Sequence, residues 1–148
     1  MVRFARWEEF DFDSKIWLLS AERMKARKAF VIPLAEQVIG ILAKIPRVEG
    51  SPFLFPGRGK SGVMHANAVR NLLHGLGRAD ITRHGFRSTF RDWAAENTEH
   101  TREVCEMALA HDERDQTEGA YSRTDFLEKR RPLMQEWADY ALASNVTD

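Results

Sequence analysis

His84 and Arg87 stand three residues apart in the stretch TRHGFRSTFR (82–91), and Arg83, Arg87 and Arg91 follow one another at intervals of four. On a helix that spacing stacks the three arginines on one side and sets Phe86 and Phe90 on another. Like charges so placed repel, by a few tenths of a kcal/mol per pair. A stack with a histidine beside it and no acid within it suits an anion from elsewhere. Other polar residues with chemical potential lie among small or apolar neighbours. His111 ends the run MALAH, Tyr121 sits in EGAYSR, and Lys25 lies in the basic segment AERMKARK with Arg27 and Lys28. Each has a plainer reading as well. The histidines can cap or fill a core, Tyr121 can be a core aromatic, and the lysine segment can be a solvated turn. The arginines can pair with acids from the C-terminal part of the chain.

Other chemistries fit poorly. The five histidines and one cysteine show neither a His-x-x-x-His nor a Cys-x-x-Cys spacing, so no metal site is expected. GRGKSG (57–62) has the composition of a phosphate loop but not its glycine spacing. No nucleophile elbow or dinucleotide fingerprint occurs, and no cofactor is expected. The 148 residues suit one domain, and 43% hydrophobic residues suffice for an ordinary core. No apolar run is long enough to span a bilayer, and no charged-then-apolar leader opens the sequence. A lone Cys105 among apolar neighbours reads as a buried structural thiol. The expected setting is cytoplasmic. The formal net charge is zero but unevenly spread: residues 1–91 hold 16 Lys and Arg against 8 Asp and Glu, and the remainder reverses the balance. That asymmetry suggests a basic surface for nucleic acid, or two halves that attract each other.

The elements that must position these residues are mostly helical. KIWLLS (15–20) and AFVIPL (29–34) read as two antiparallel strands joined by the basic hairpin, with Pro33 closing the second. The opening RFARWEEFDFD reads as a helix end running into a turn. Helices are predicted over 35–45, with Val38, Ile41, Leu42 and Ile45 on one face, and over 65–77, with Val69, Leu72, Leu73 and Leu76 on one face. The arginine-bearing helix is predicted to run through Trp93 to Ala95, and 101–110 to form another with Thr101 as N-cap. A short helix is expected around Tyr121 and a longer one from Phe126, with Pro132 inside it. The fold class is α+β, mainly α-helical, with a small antiparallel sheet near the N-terminus.

In order, Lys25, His84-x-x-Arg87, His111 and Tyr121 resemble the catalytic domain of the tyrosine recombinases, specifically the phage and prophage integrases. ERMKARKAFVIPL resembles the lysine hairpin of that family, with Lys25 eight residues before Pro33, and HGFRSTFRDWAAE its His-x-x-Arg helix. ALAHDERDQTEGAYSR resembles the segment holding the second histidine and the tyrosine, and LEKRRPLMQEWADY a C-terminal helix of the prophage branch. The resemblance covers nearly the whole chain and departs at two points. Ala110 replaces a glycine often found before the second histidine. The family's first arginine, in an Arg-x-x-Glu motif, would fall upstream, since Met1 stands where that glutamate would be. Residues 1–148 are therefore expected to form an N-terminally truncated C-terminal catalytic domain, without the DNA-clamping domain.

The resemblance implies a site-specific recombinase that breaks and rejoins DNA through a covalent 3′-phosphotyrosyl bond. Tyr121 would be the nucleophile, and Arg87, His84 and His111 would stabilise the phosphate. Lys25 would protonate the leaving 5′ oxygen. Arg83 and Arg91 would hold flanking phosphates or pair with acids, and Arg27 and Lys28 would contact DNA. The implied partners are double-stranded attachment sites and three further copies in a homotetramer, with no membrane and no small-molecule cofactor. Helix 126–143, with Trp137 and Tyr140, could dock on a neighbouring subunit or on its own domain. Two other readings are a non-enzymatic DNA-binding or assembly domain and a type IB topoisomerase-like relaxation activity.

Overall fold

The computed structural model describes residues 2–24, 27–110 and 125–143. Two 3-10 turns, Val2–Phe4 and Trp7–Glu9, lead into strand β1 (Phe10–Asp11). β2 (Ile16–Leu19) and β3 (Phe30–Pro33) follow, and the three form an antiparallel sheet in chain order. The two expected strands are present, and β1 adds a third that its two residues were too short to announce. The Phe10 ring stacks on its register partner Trp17 at 5.2 Å, and the Asp11 carboxylate accepts the Ser14 amide at 2.9 Å to turn the chain. β2 alternates as a half-buried strand does: Trp17 and Leu19 face the core and Leu18 faces outward.

Glu9 ties this entrance together. Its carboxylate accepts hydrogen bonds from the Trp17 indole, the Arg6 amide and the Arg23 guanidinium. Burial opposes its charge, but those three donors and the Arg23 charge outweigh burial and hold the group below its ordinary range. Arg23 closes a third 3-10 turn, Ala21–Arg23, so this network also fixes the start of the β2–β3 connection.

Five α-helices are seen among the described residues: α1 (Glu36–Lys44), α2 (Ala68–Gly75), α3 (Arg83–Asn97), α4 (Arg102–Ala108) and α5 (Leu127–Ala143). The buried face of α1 is the expected one only in part. Leu42 is buried and Ile39 and Ile45 pack against the same core, while Val38 and Ile41 are exposed. Polar partners on α5 account for this rotation. Gln135 donates to the Gln37 side chain at 2.8 Å and accepts the Glu36 amide at 3.0 Å, so α1 turns its first residues toward α5.

α2 departs further. Its apolar residues were expected to share one face, yet the helix has no buried residue, and Leu72 and Leu76 are 63% and 67% exposed. Its end is as expected: Gly77 adopts φ +73, and the Arg78 amide reaches back to the Leu73 carbonyl at 2.8 Å. In the preceding loop the Gly57 amide donates to the Gly62 carbonyl at 2.9 Å. That amide closes a turn and is not offered to a phosphate.

Two apolar clusters support the site. One joins the sheet, α1, Leu54 and Met107; the other joins Phe90, Trp93 and Ala94 of α3 to Val104 and Cys105 of α4 and Leu133 of α5. Phe126 packs against both. Trp137 meets Phe90 edge-on at 5.4 Å and Trp93 at 5.1 Å, so α5 docks on its own domain. Cys105 is buried as expected; burial first, then the charges of Glu106 and Glu103, push its thiol up.

Two predictions follow from local geometry. Because the Glu9 carboxyl is held low when folded, its contribution is present above the ordinary glutamate range and is lost as pH falls through the lowered value. Denaturant melts should show Glu9→Gln less stable than the parent at neutral pH, with the gap closing in acid. Ala110 has φ +54, which costs an L-residue about 1–2 kcal/mol that glycine avoids, against roughly 0.5–1 kcal/mol of extra chain entropy. Thermal melts should find Ala110→Gly neutral or stabilising and Ala110→Val clearly destabilising.

Candidate phosphate-binding site

α3 begins where the sequence provides a stop and a cap. Thr82 is extended, and its hydroxyl accepts the Gly85 amide at 3.0 Å. Arg83, His84, Arg87 and Arg91 then fall on the first three turns, and Arg87 and Arg91 reach the last turn of α4. The expected greasy face divides: Phe90 is buried, whereas Phe86 is 52% exposed. Phe90 alone on that side anchors the helix, beside Trp93 and Ala94.

The arginine stack meets the negative end of α4. Arg87 is half-buried, and its Nη2 donates to the Leu109 carbonyl at 2.7 Å. One turn further on, Arg91 Nη2 lies 2.8 Å from Glu106 Oε1. Glu106 is 4% exposed, while the Arg91 side chain is 47% exposed. A helix C-terminus carries unsatisfied carbonyls and a partial negative charge, and cations settle there. The repulsion within the stack is thus relieved by a main-chain carbonyl and a buried carboxylate from the acidic half of the chain. In this structure, without DNA, Arg91 pairs with an acid.

His84 is exposed on the turn that carries Arg87, three positions away and so on a neighbouring part of the same face. Arg27 and Lys28 are exposed beyond β2, and Arg27 has φ +55. Arg83 contributes its backbone to the first turn of α3, and its side chain is outside the description. Lys25, His111, Tyr121 and the short helix expected around Tyr121 also lie outside the described residues. The chain leading to His111 is visible up to Ala110, whose amide donates to the Met107 carbonyl at 2.9 Å. Ala110 stands in the left-handed conformation that glycine adopts without strain, which gives physical content to glycine at that place.

Two buried charges escaped the sequence reading. Glu106 was one acid among many in a helix otherwise chosen for its apolar residues; an acid flanked by Cys105 and Met107, both buried, was the available signal. Arg130 is 1% exposed in the first turns of α5. Its Nε donates to the Asp125 carbonyl at 2.8 Å, and its guanidinium lies 4.7 Å over the Phe30 ring. One amino group is 3.2 Å from the Asp125 carboxylate, off the hydrogen-bonding direction. Desolvation pushes the Arg130 guanidinium down, with Asp125 opposing. Arg130 thereby welds the start of α5 to the start of β3, the strand that follows the basic hairpin.

No group of three or more potential metal ligands occurs among the described residues, and none of their helices is long and apolar enough to cross a membrane. What the geometry offers is a half-buried guanidinium, with an exposed histidine three positions before it on the same helix. Such a fork can hold two oxygens of a phosphate, where lysine would supply a point charge.

Comparison with known proteins bears on the family and the fold. Residues 2–128 match the model of the phage integrase family. The chain is 37% identical over 145 residues to the prophage integrase IntA of Escherichia coli (strain K12), covering 95% of this chain and 35% of that protein. It is 34% identical over 157 residues to the integrase of Enterobacteria phage P4, covering 94% of this chain and 36% of that protein. The chain thus spans about a third of the length of these curated relatives. An integrase from mycobacterium phage Brujita shares the fold with a TM-score of 0.63 at 19% identity, over 90% of this chain and 44% of that one. Family model, relatives and fold converge: the chain belongs to the phage integrase family, the tyrosine recombinases.

Proposed function

We propose that this chain is the C-terminal catalytic part of a site-specific DNA recombinase, and that it cuts and rejoins DNA through a covalent phosphotyrosyl bond. The observation that carries this reading is the seat of Arg87. It is half-buried, gripped by the Leu109 carbonyl, beside His84, and next to the turn that leads to His111. The chain spans about a third of the length of its curated relatives, and the catalytic set of this reading includes a first arginine from outside it.

Transfer of a phosphodiester to a side chain needs a nucleophile in line, stabilisation of the extra negative charge, and a proton for the leaving oxygen. Tyr121 supplies the nucleophile. A free phenol titrates near ~10, so it gives up its proton as it attacks. Its oxygen bonds to phosphorus, the bond to the 5′ oxygen breaks, and Lys25 returns a proton to that oxygen. Arg87 holds two non-bridging oxygens, while His84 and His111 hydrogen-bond the same phosphate, with His84 also placed to accept the tyrosine proton. Attack by a 5′ hydroxyl on the phosphotyrosyl bond reverses the chemistry on the same or another strand, so no external energy source enters. Arg83, Arg27 and Lys28 contact neighbouring phosphates. Double-stranded attachment sites are the substrate, bound by a homotetramer, in the cytoplasm.

The test is a nicked duplex that traps the covalent state, given to the full-length protein. The parent should form a protein–DNA adduct, and Tyr121→Phe should form none while binding DNA equally well. Arg87→Ala should slow adduct formation by about 10²–10³-fold. Adduct formation by Tyr121→Phe would remove the proposed nucleophile. No adduct with the parent would leave a DNA-binding or assembly role. Relaxation of supercoils without exchange between two sites would favour the topoisomerase-like reading.

A further inference from the structure

Two arginines of the stack, Arg87 and Arg91, meet the same turn of α4. Arg87 and Arg91 are one turn apart, with Cβ atoms about 5–6 Å from each other by helix geometry. A flexible, charged Arg91 can therefore reach an anion held by Arg87. Glu106 takes one amino group of Arg91 at 2.8 Å. The carboxylate is nearly fully buried, on a helix whose Val104 and Cys105 pack against Phe90, Trp93 and Ala94 of α3. Its own main-chain carbonyl accepts the Leu109 amide at 3.1 Å, and Leu109 in turn accepts Arg87. One turn of α4 therefore addresses two arginines: the Leu109 carbonyl accepts from Arg87, and the Glu106 carboxylate pairs with Arg91.

We propose that Glu106 is a positioning residue that draws Arg91 away from the phosphate seat, so that the anion is held by Arg87 in one orientation. This inference rests on the phosphate-binding reading of α3. It makes a prediction of opposite sign for binding and for chemistry. Releasing Arg91 adds a cation to the DNA-facing surface and at the same time offers the phosphate a second, wrongly placed fork. A merely structural Glu106 would lower both together.

The experiment uses the full-length protein and three forms: parent, Glu106→Met, and Glu106→Met combined with Arg91→Ala. Methionine keeps the volume and removes the acceptor. Duplex affinity is measured against salt, and adduct formation is measured at saturating nicked duplex. Glu106→Met should bind with a salt slope steeper by about one phosphate contact. It should form adduct about tenfold or more slowly, as a misplaced reacting group does. The double variant should return to the parent's slope and form adduct faster than Glu106→Met alone. An unchanged slope, or a double variant no faster than Glu106→Met, overturns the proposal. Should Glu106→Met fail to fold, Glu106→Gln carries the same two arms. If the parent forms no adduct, the recombinase reading fails, and the salt slopes still decide the role of Glu106.

Discussion

The grip of the last turn of α4 on the arginines of α3 is the interaction on which the site depends. Three arginines at intervals of four cannot sit comfortably on a helix without compensation. The Leu109 carbonyl and the Glu106 carboxylate provide it from a single turn. That grip requires α3 and α4 to be locked in rotation and depth. The cluster of Phe90, Trp93, Ala94, Val104, Cys105 and Leu133 does the locking, with Trp137 of α5 closing over it. Packing thus sets electrostatics here. The apolar side of α3 fixes the angle at which its basic side meets α4.

A second joint governs the other half of the molecule. Arg130 carries a charge into the interior, stacks it on Phe30, and holds Asp125 at the start of α5. A buried ion pair of this kind adds little net stability, because desolvation offsets the attraction. What it fixes is geometry: the position of α5 relative to β3. Phe126 reinforces the joint by packing against both clusters. Ion pairs elsewhere lie mostly within one half of the chain, as Arg23–Glu9, Arg78–Asp80 and Arg131–Glu128 do, whereas Arg91–Glu106 crosses from the basic half to the acidic one. The charge asymmetry of the sequence is thus met in part within the fold, where Arg91 pairs with Glu106.

Periodicity made the elements legible. The strands at Ile16–Leu19 and Phe30–Pro33, the helix carrying Arg87, and the C-terminal helix with its proline all stand where alternation, spacing and capping put them. Which face each helix buries was less legible. Val38, Ile41, Leu72, Leu76 and Phe86 are apolar at helical spacing yet exposed. A stripe says that a face can be covered, and the covering group belongs to tertiary structure. The rotation of α1 was decided by Gln135 nearly a hundred residues away. In the site, the arginine stack and His84 were legible because repulsion without an internal acid asks for a guest. Glu106 was less so: one acid in an acidic segment is marked only by its apolar neighbours Cys105 and Met107. The left-handed Ala110 was marked only by the glycine that a resemblance led one to expect there.

The central claim is that Arg87, and not its neighbour one turn away, is the phosphate seat. A crystal structure of the full-length protein on duplex DNA tests it most directly. A backbone phosphate is expected within hydrogen-bonding distance of both terminal nitrogens of Arg87, with Arg91 still paired to Glu106. A phosphate held by Arg91, with Glu106 vacated and Arg87 turned wholly to the Leu109 carbonyl, would contradict it.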